Sequence, residues 1–190
     1  MTLIKSLIIS FVVITVLNII ISKDSKYLKK NIRVIHFILG CFFILYLNII
    51  LKMTLRFTHP KFDPHINLIP FNDGFGIQDI LNIVLFMPLG FLLPTLWEKY
   101  RNFWSTFYYG LFLSLFIEIG QLFVSNRVTD INDLIMNTIG AIAGWVIFNA
   151  IRKISRKFFT KTAINISSND TLAIKLEPCV YVVIAIMCLF

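Results

Sequence analysis

Charged residues, cysteine, glycine and proline are all scarce in this sequence of 190 residues. Charged side chains make up 15%, against roughly 25% in an average soluble protein. The eight glycines, six prolines and three cysteines exclude a collagen-like fibre and a disulfide scaffold. Apolar residues are instead abundant: 57% are hydrophobic, 19 are phenylalanine, and the mean hydropathy is +0.80. Because neither a soluble domain of this size nor a disordered chain accommodates so much apolar surface, the composition indicates a membrane protein rather than an ordinary soluble enzyme.

The common signatures of catalytic and metal sites are also missing. The sequence contains no G-x-S-x-G, no H-E-x-x-H and no cysteine pair with metal-ligand spacing. His59 and His65 with Asp63 would be the only group to consider for a divalent metal, and solvated loop residues are the favoured interpretation. We therefore predict neither a metal site nor a cofactor.

Long apolar runs with at most one charged residue define the predicted architecture. A membrane-spanning helix needs about 20 mainly apolar residues. Five stretches meet or approach this requirement: 6–22, 34–51, 80–97, 102–126 and 134–151. A further run, 178–190, is about 20 Å long as a helix and too short to span. The prediction is an all-α integral membrane protein, with a bundle of about five transmembrane helices in 1–151, a basic connector in 152–177 and a short C-terminal apolar helix in 178–190.

The net charge of +8 arises in the loops between these runs, which indicates contact with membrane lipid and no nucleic-acid partner. The loop 23–33, the turn 99–101 and the segment 152–177 together hold 13 of the 18 basic residues. Basic loops face the cytoplasm, so this distribution predicts a multi-pass protein with the N-terminus outside and with 23–33 and 152–177 cytoplasmic. Lys5 and the apolar run after it resemble a signal peptide, but no small-x-small cleavage site follows, and an uncleaved anchor is expected.

Polar residues inside the predicted spans mark functional candidates, because they are costly in a bilayer. In the fourth span they share one helical face with a glycine: Gly110, Ser114, Glu118 and Gln121. The fifth span has a similar stripe of Asp130, Asp133, Asn137, Ala141 and Gly144. Gly140 and Gly144 form a G-x-x-x-G, a signal for close helix contact. For Asp130, capping of its helix is the competing structural interpretation.

By the predicted topology, the outer half of the bundle collects most of these polar groups. Asp79 and Asn82 begin the third span, where Asp79 is also interpreted as an N-terminal dipole residue and Pro88 is expected to kink the helix. The preceding loop, 65–74, mixes apolar residues with Asn67, Pro and Gly and is expected to lie in the membrane interface. The predicted site comprises Asn67, Asp79, Asn82, Glu118, Gln121, Arg127, Asp130, Asp133 and Asn137.

Four motifs within these regions resemble the VanZ-like membrane protein family. They are Asn67-x-x-Pro70-Phe71, Asp79-x-x-Asn82-Ile83-x-Leu85-Phe86-x-Pro88-Leu89-Gly90, Ser114-x-x-x-Glu118-x-x-Gln121 and Arg127-x-x-Asp130-x-x-Asp133-x-x-x-Asn137-Thr138-x-Gly140. The resemblance covers roughly residues 30–150. It implies an integral envelope protein of Gram-positive type that lowers susceptibility to glycopeptide or lipoglycopeptide antibiotics such as teicoplanin.

Three functional roles and one purely structural alternative remain open at this point. An outward-facing polar pocket with Arg127 at its mouth would bind an envelope lipid, a lipid-linked cell-wall precursor or a lipoglycopeptide, since arginine suits phosphate and carboxylate groups. An internal network between Arg127 and the acids would instead only fix helix packing. A membrane hydrolase or transferase would use Glu118 as general acid and Asp130 or Asp133 as base. A small lipid or ion transporter would use Glu118 as proton carrier and the Pro88–Gly90 segment as a hinge.

Overall fold

The computed structural model describes residues 8–9, 11–16, 19, 30–55, 62, 64–72, 74–124, 127–159, 162–164 and 172–189. The described chain is mainly helical. Its helices are α1 (Lys30–Thr54), α2 (Ile77–Leu96), α3 (Phe103–Gln121), α4 (Ile131–Ile154), α5 (Arg156–Phe159) and α6 (Leu172–Met187), with a 3-10 helix at Glu98–Arg101. Two short strands, β1 (Ile66–Asn67) and β2 (Thr129–Asp130), complete it. We call the end of the bundle that carries the strands the strand end, and the opposite end, which carries Arg101 and Arg152, the basic end.

Three helices of the described chain are long and apolar enough to cross a membrane. They are Val34–Thr54 within α1, Ile77–Leu96 and Ile131–Ile154. The helical membrane bundle is therefore supported, but the predicted number of about five spans is not confirmed. The 19-residue α3 falls outside this set, because its Trp, Tyr, Ser and Glu side chains lower its hydropathy. The predicted span 6–22 lies partly outside the described residues, with helix at 11–16 and Ile14 buried in the core.

Glycines bring α2 and α4 into the closest contact of the bundle. A Cβ atom at Gly140 would collide with the main-chain carbonyl of Ile83, and one at Gly144 with that of Met87. Gly90 of α2 lies in the same way against α4. The contact role predicted for Gly140 and Gly144 is thus confirmed: the absence of side chains lets the two backbones touch.

The C-terminal part of the chain packs into the basic end. α6 begins at Leu172, six residues before the expected start at 178, and its 16 residues make it about 24 Å long. The stretch 162–164 pairs with the end of α2, because Ile164 exchanges backbone hydrogen bonds with Leu96 and Glu98. Residues 152–177 are therefore not simply a connector, since the described part of them belongs to the packed structure.

Glu177 is the clearest difference from the sequence interpretation, which placed it in the connector. Its side chain is fully buried. One carboxylate oxygen, Oε1, lies 3.2 Å from His36 Nε2, and the other, Oε2, accepts a 2.8 Å hydrogen bond from Trp97 Nε1. His36 is likewise buried inside the protein. Tyr181 packs against Trp97 with 5.7 Å between ring centroids. This cluster joins α1, α2 and α6.

Candidate functional site

The two strands hold the loop before α2 against the start of α4. β1 and β2 pair in parallel, with Ile66 opposite Thr129 and Asn67 opposite Asp130. The His65 carbonyl also accepts a 2.8 Å hydrogen bond from the Thr129 N–H. The strand pair therefore brings the first and last of the four sequence motifs together.

Glu118 joins α3 to this strand pair. One carboxylate oxygen, Oε2, accepts a hydrogen bond from the Asp130 backbone N–H at 3.0 Å, and the Glu118 main-chain carbonyl accepts one from the Thr129 hydroxyl at 3.0 Å. The side chain is only 3% exposed. Among the described residues its second oxygen, Oε1, has no hydrogen-bond donor. Glu118 thus points into the bundle, as predicted, with half of its carboxylate unpaired.

Asp130 is the N-cap of α4. Its side chain accepts the Asn132 N–H at 2.8 Å, which satisfies one of the open donors of the helix start. Its other oxygen accepts a 3.3 Å hydrogen bond from Asn67 Nδ2. The capping interpretation is therefore confirmed for Asp130, and Asn67 is placed beside it.

Asp79, Asn82 and Asp133 form the contact between the starts of α2 and α4. Asp79 accepts the Gly76 N–H at 2.7 Å and so completes the first turn of α2, which agrees with its interpretation as a helix-start residue. Asn82 Nδ2 donates to Asp133 Oδ1 at 2.6 Å. The carboxylate of Asp133 is thus the hydrogen-bond partner of the buried Asn82 side chain.

The deeper part of the site lies between α3 and α4. Asn137 donates to the Ser114 hydroxyl at 3.0 Å, and both side chains are buried. The remaining oxygen of Asn137, Oδ1, and the oxygen of the buried Gln121, Oε1, have no donor among the described residues. Together with Glu118 Oε1 they make three buried acceptor atoms without a partner, on or against one face of α3.

Arg127 lies at the surface of the strand end. It is exposed, and its Nη2 donates to the main-chain carbonyl of Met53 at 2.9 Å, at the end of α1. Within the described chain no ion pair connects it to Asp79, Glu118, Asp130 or Asp133. These residues therefore show no ion-pair network of the kind that the packing alternative requires, and the site is rich in carboxylates and other hydrogen-bond acceptors.

Two contributors were missed from the sequence. Asn132 is buried, and its side-chain oxygen accepts the Phe71 N–H at 2.9 Å, which ties the loop to α4. Phe71 itself has φ 56°, a left-handed conformation that is unusual for a residue other than glycine. The Pro70–Gly74 composition signals a turn there, but no sequence pattern indicates that Asn132 is the partner.

The loop leading into α2 presents apolar side chains outward. Leu68, Ile69, Phe75 and Ile77 are all mostly exposed. These side chains fit a loop that lies in the membrane interface, beside the polar site.

No group of three or more His, Cys, Asp or Glu side chains suited to a metal ion occurs in the described ranges. His59 and Asp63, considered above as loop ligands, lie outside the described residues. The described arrangement is therefore an acceptor-rich cluster of carboxylates and amides, which we call the polar wall. Such a cluster favours a partner that donates hydrogen bonds through hydroxyl, amide or ammonium groups.

The long apolar helices of this bundle define a membrane protein, and the family model that matches its sequence is that of VanZ/LLP1. The family model matches residues 37–152, more than half of the chain, and the chain belongs to this family. Among individual proteins, it is similar to Protein VanZ of Enterococcus faecium, with 33% identity over 89 residues. That match covers 46% of this chain and 55% of the relative, so the chain spans about half of the relative's length. No solved structure matches the chain.

Proposed function

We propose that this protein lowers the susceptibility of a Gram-positive cell to glycopeptide or lipoglycopeptide antibiotics such as teicoplanin. In this proposal, the strand end binds a lipid-linked component of the envelope or the drug itself. Membership of the VanZ/LLP1 family supports the first part. The second part rests on the unpaired acceptors Glu118 Oε1, Gln121 Oε1 and Asn137 Oδ1.

Buried acceptors without donors are costly, at about 1–3 kcal/mol each. A fold that retains three of them along one helix face favours a bound partner that supplies the missing donors. Sugar hydroxyls and peptide amides are such donors, and both cell-wall precursors and glycopeptides carry them. The proposed ligand is therefore a glycosyl or peptidyl headgroup, rather than the bare phosphate that a free Arg127 would have favoured.

The candidate residues divide into two groups under this proposal. Glu118, Gln121 and Asn137 present open acceptors and are the proposed ligand-binding residues. The second group fixes the geometry of the polar wall through the contacts described above and comprises Asn67, Asp79, Asn82, Asp130 and Asp133. Arg127 belongs to neither group and lies exposed at the rim. No reaction is proposed, because Asp130 and Asp133 are engaged in structural hydrogen bonds.

The membrane-facing loop supports a ligand with an acyl chain. Because Leu68, Ile69 and Phe75 are exposed next to the polar wall, an amphiphile would place its chain in the lipid and its headgroup against Glu118.

The test is expression in a teicoplanin-susceptible Gram-positive strain, with Glu118→Gln compared to the native chain. The substitution keeps the shape and replaces an acceptor by an amide donor, so teicoplanin protection should fall to the level of the empty vector. Glu98→Gln is the matched control, since Glu98 makes its ion pair with Arg101 at the basic end. Protein abundance in the membrane is measured for each variant. Full protection by Glu118→Gln, at equal abundance, would refute the proposed site.

A further inference from the structure

A cavity of about 460 Å³ lies at the basic end, away from the polar site of the strand end. Asn149, Arg152 and Lys153 of the last turns of α4 line it, together with Arg156, which begins α5. This volume falls in the range of about 300–1,000 Å³ typical of small-ligand sites. The side chains that line it are basic or amide groups, with no carboxylate among them.

The positive charge of this cavity is not neutralised within the described chain. No carboxylate forms an ion pair with Arg152, Lys153 or Arg156 there. Burial is the main cause that lowers the pKa of the nearby Arg101; Glu98 opposes this shift, and the positive charge of Arg152 adds to it.

Basic residues in a last helical turn also have a purely structural explanation, because they compensate the negative end of the helix dipole. That explanation covers Arg152 and Lys153, which lie in the last turn of α4. It does not cover Arg156, which follows the break at Ser155 and lines the same cavity. Three cations from two helices around one open cavity indicate an anionic partner.

The side chains around the cavity indicate whether that anion comes from the membrane or from solution. Ile147, Ile151 and Ile154 on α4 and Phe158 on α5 are exposed apolar side chains beside the basic ones, and Ile154 is 86% exposed. This change from apolar to basic side chains is the pattern of a helix end that leaves the hydrocarbon region of a bilayer. An anion bound there would come from the membrane, with its acyl chains against the isoleucines.

We propose that Arg152, Lys153 and Arg156, with Asn149, form a binding site for the phosphodiester headgroup of an anionic phospholipid. Arginine guanidinium groups offer paired N–H donors to phosphate oxygens, and Lys153 adds a point charge. The carbonyl groups at the C-terminus of α4 repel an anion on the helix axis. The headgroup therefore lies beside the last turn, against the side chains.

The experiment uses the full-length protein in detergent, titrated with short-chain phosphatidylglycerol or with zwitterionic phosphatidylcholine. Native mass spectrometry counts the bound lipids, and thermal unfolding measures the stabilisation. The native chain should prefer phosphatidylglycerol at least about tenfold. The triple variant Arg152→Gln, Lys153→Gln, Arg156→Gln should lose this preference.

The matched control is the triple variant Lys23→Gln, Lys26→Gln, Lys29→Gln, which removes the same charge from another basic loop. It should retain the preference. If both triple variants lose it equally, binding reflects net charge and the site is refuted. Equal binding of the two lipids by the native chain would also refute it. Inorganic phosphate that displaces phosphatidylglycerol at millimolar concentration would assign the cavity to a soluble anion and overturn the lipid proposal.

The single variant Arg152→Lys provides a second test of the site if the triple variant does not fold. It keeps the charge and removes the paired N–H geometry, so the preference should fall by several-fold while unfolding in the absence of lipid stays unchanged. An unaltered preference would contradict the proposed role of Arg152.

Discussion

Glu118 and Glu177 are both buried glutamates in a membrane protein, but their carboxylates are used in opposite ways. Glu177 has a partner for each oxygen, His36 on α1 and Trp97 at the end of α2. Glu118 has one partner, the Asp130 N–H, and leaves Oε1 open. The difference teaches how to distinguish a structural polar group from a binding one: the first is saturated by its own fold, and the second is not.

The strongest test of this comparison removes each carboxylate in turn. Glu177→Leu leaves His36 and Trp97 with unpaired buried polar atoms, and we expect it to lower the free energy of unfolding by about 3–5 kcal/mol. Glu118→Leu should lower it by only about 1 kcal/mol, because the single donor left without a partner is the part-buried Asp130 N–H and the substitution also removes the unpaired oxygen Oε1. Thermal unfolding in detergent, followed by tryptophan fluorescence, measures both. Equal destabilisation by the two variants would abolish the distinction.

A smaller effect is expected from Trp97→Phe. This substitution keeps an aromatic ring among Phe43, Tyr100 and Tyr181 but removes the N–H that Glu177 accepts. The expected loss is about 1–3 kcal/mol, the cost of one unsatisfied buried acceptor. Antibiotic protection per molecule of protein should stay unchanged, because the strand end is untouched. Trp145→Phe is the control, since its indole N–H donates to the Arg101 carbonyl and not to a carboxylate.

The smallest effect concerns the strand end itself. Asp130→Asn keeps an N-cap oxygen for the Asn132 N–H and should leave stability within about 0.5 kcal/mol of the native chain. Asp130→Ala removes the cap and should cost about 1 kcal/mol. Chemical denaturation of both variants and of the native chain measures these differences in the free energy of unfolding. If the asparagine variant is as unstable as the alanine variant, the charge of Asp130 matters beyond capping.

Local patterns allowed part of this structure to be predicted from the sequence. Periodicity placed Ser114, Glu118 and Gln121 on one face of α3, the G-x-x-x-G predicted the contact of Gly140 and Gly144, and capping chemistry identified Asp130. Each of these features depends on residues within about two helical turns, which is the range over which sequence spacing fixes geometry.

Contacts between distant segments escaped prediction. His36 and Glu177 are 141 positions apart, and a charged residue before a short apolar run was interpreted as the end of a solvated connector. The partner of Arg127 is the main-chain carbonyl of Met53. Because every residue has such a carbonyl, no pattern of residue types predicts this contact. Asn132 was overlooked because its partner is likewise a backbone group, the Phe71 N–H.

The close glycine contact between α2 and α4 has a mechanical consequence for the proposed binding site. Because these two backbones touch, Asn82 and Asp133 sit on a pair of helices that resists separation. Glu118 and Gln121 belong to α3, which approaches α4 closely where Gly110 lies against the Ala141 side chain, but no described glycine joins α3 to α2 in this way. A headgroup bound at the proposed site would therefore displace α3 from α2 more easily than it would separate α2 from α4. The range of headgroup sizes that the proposed site accepts would then depend on how far α3 moves away from α2.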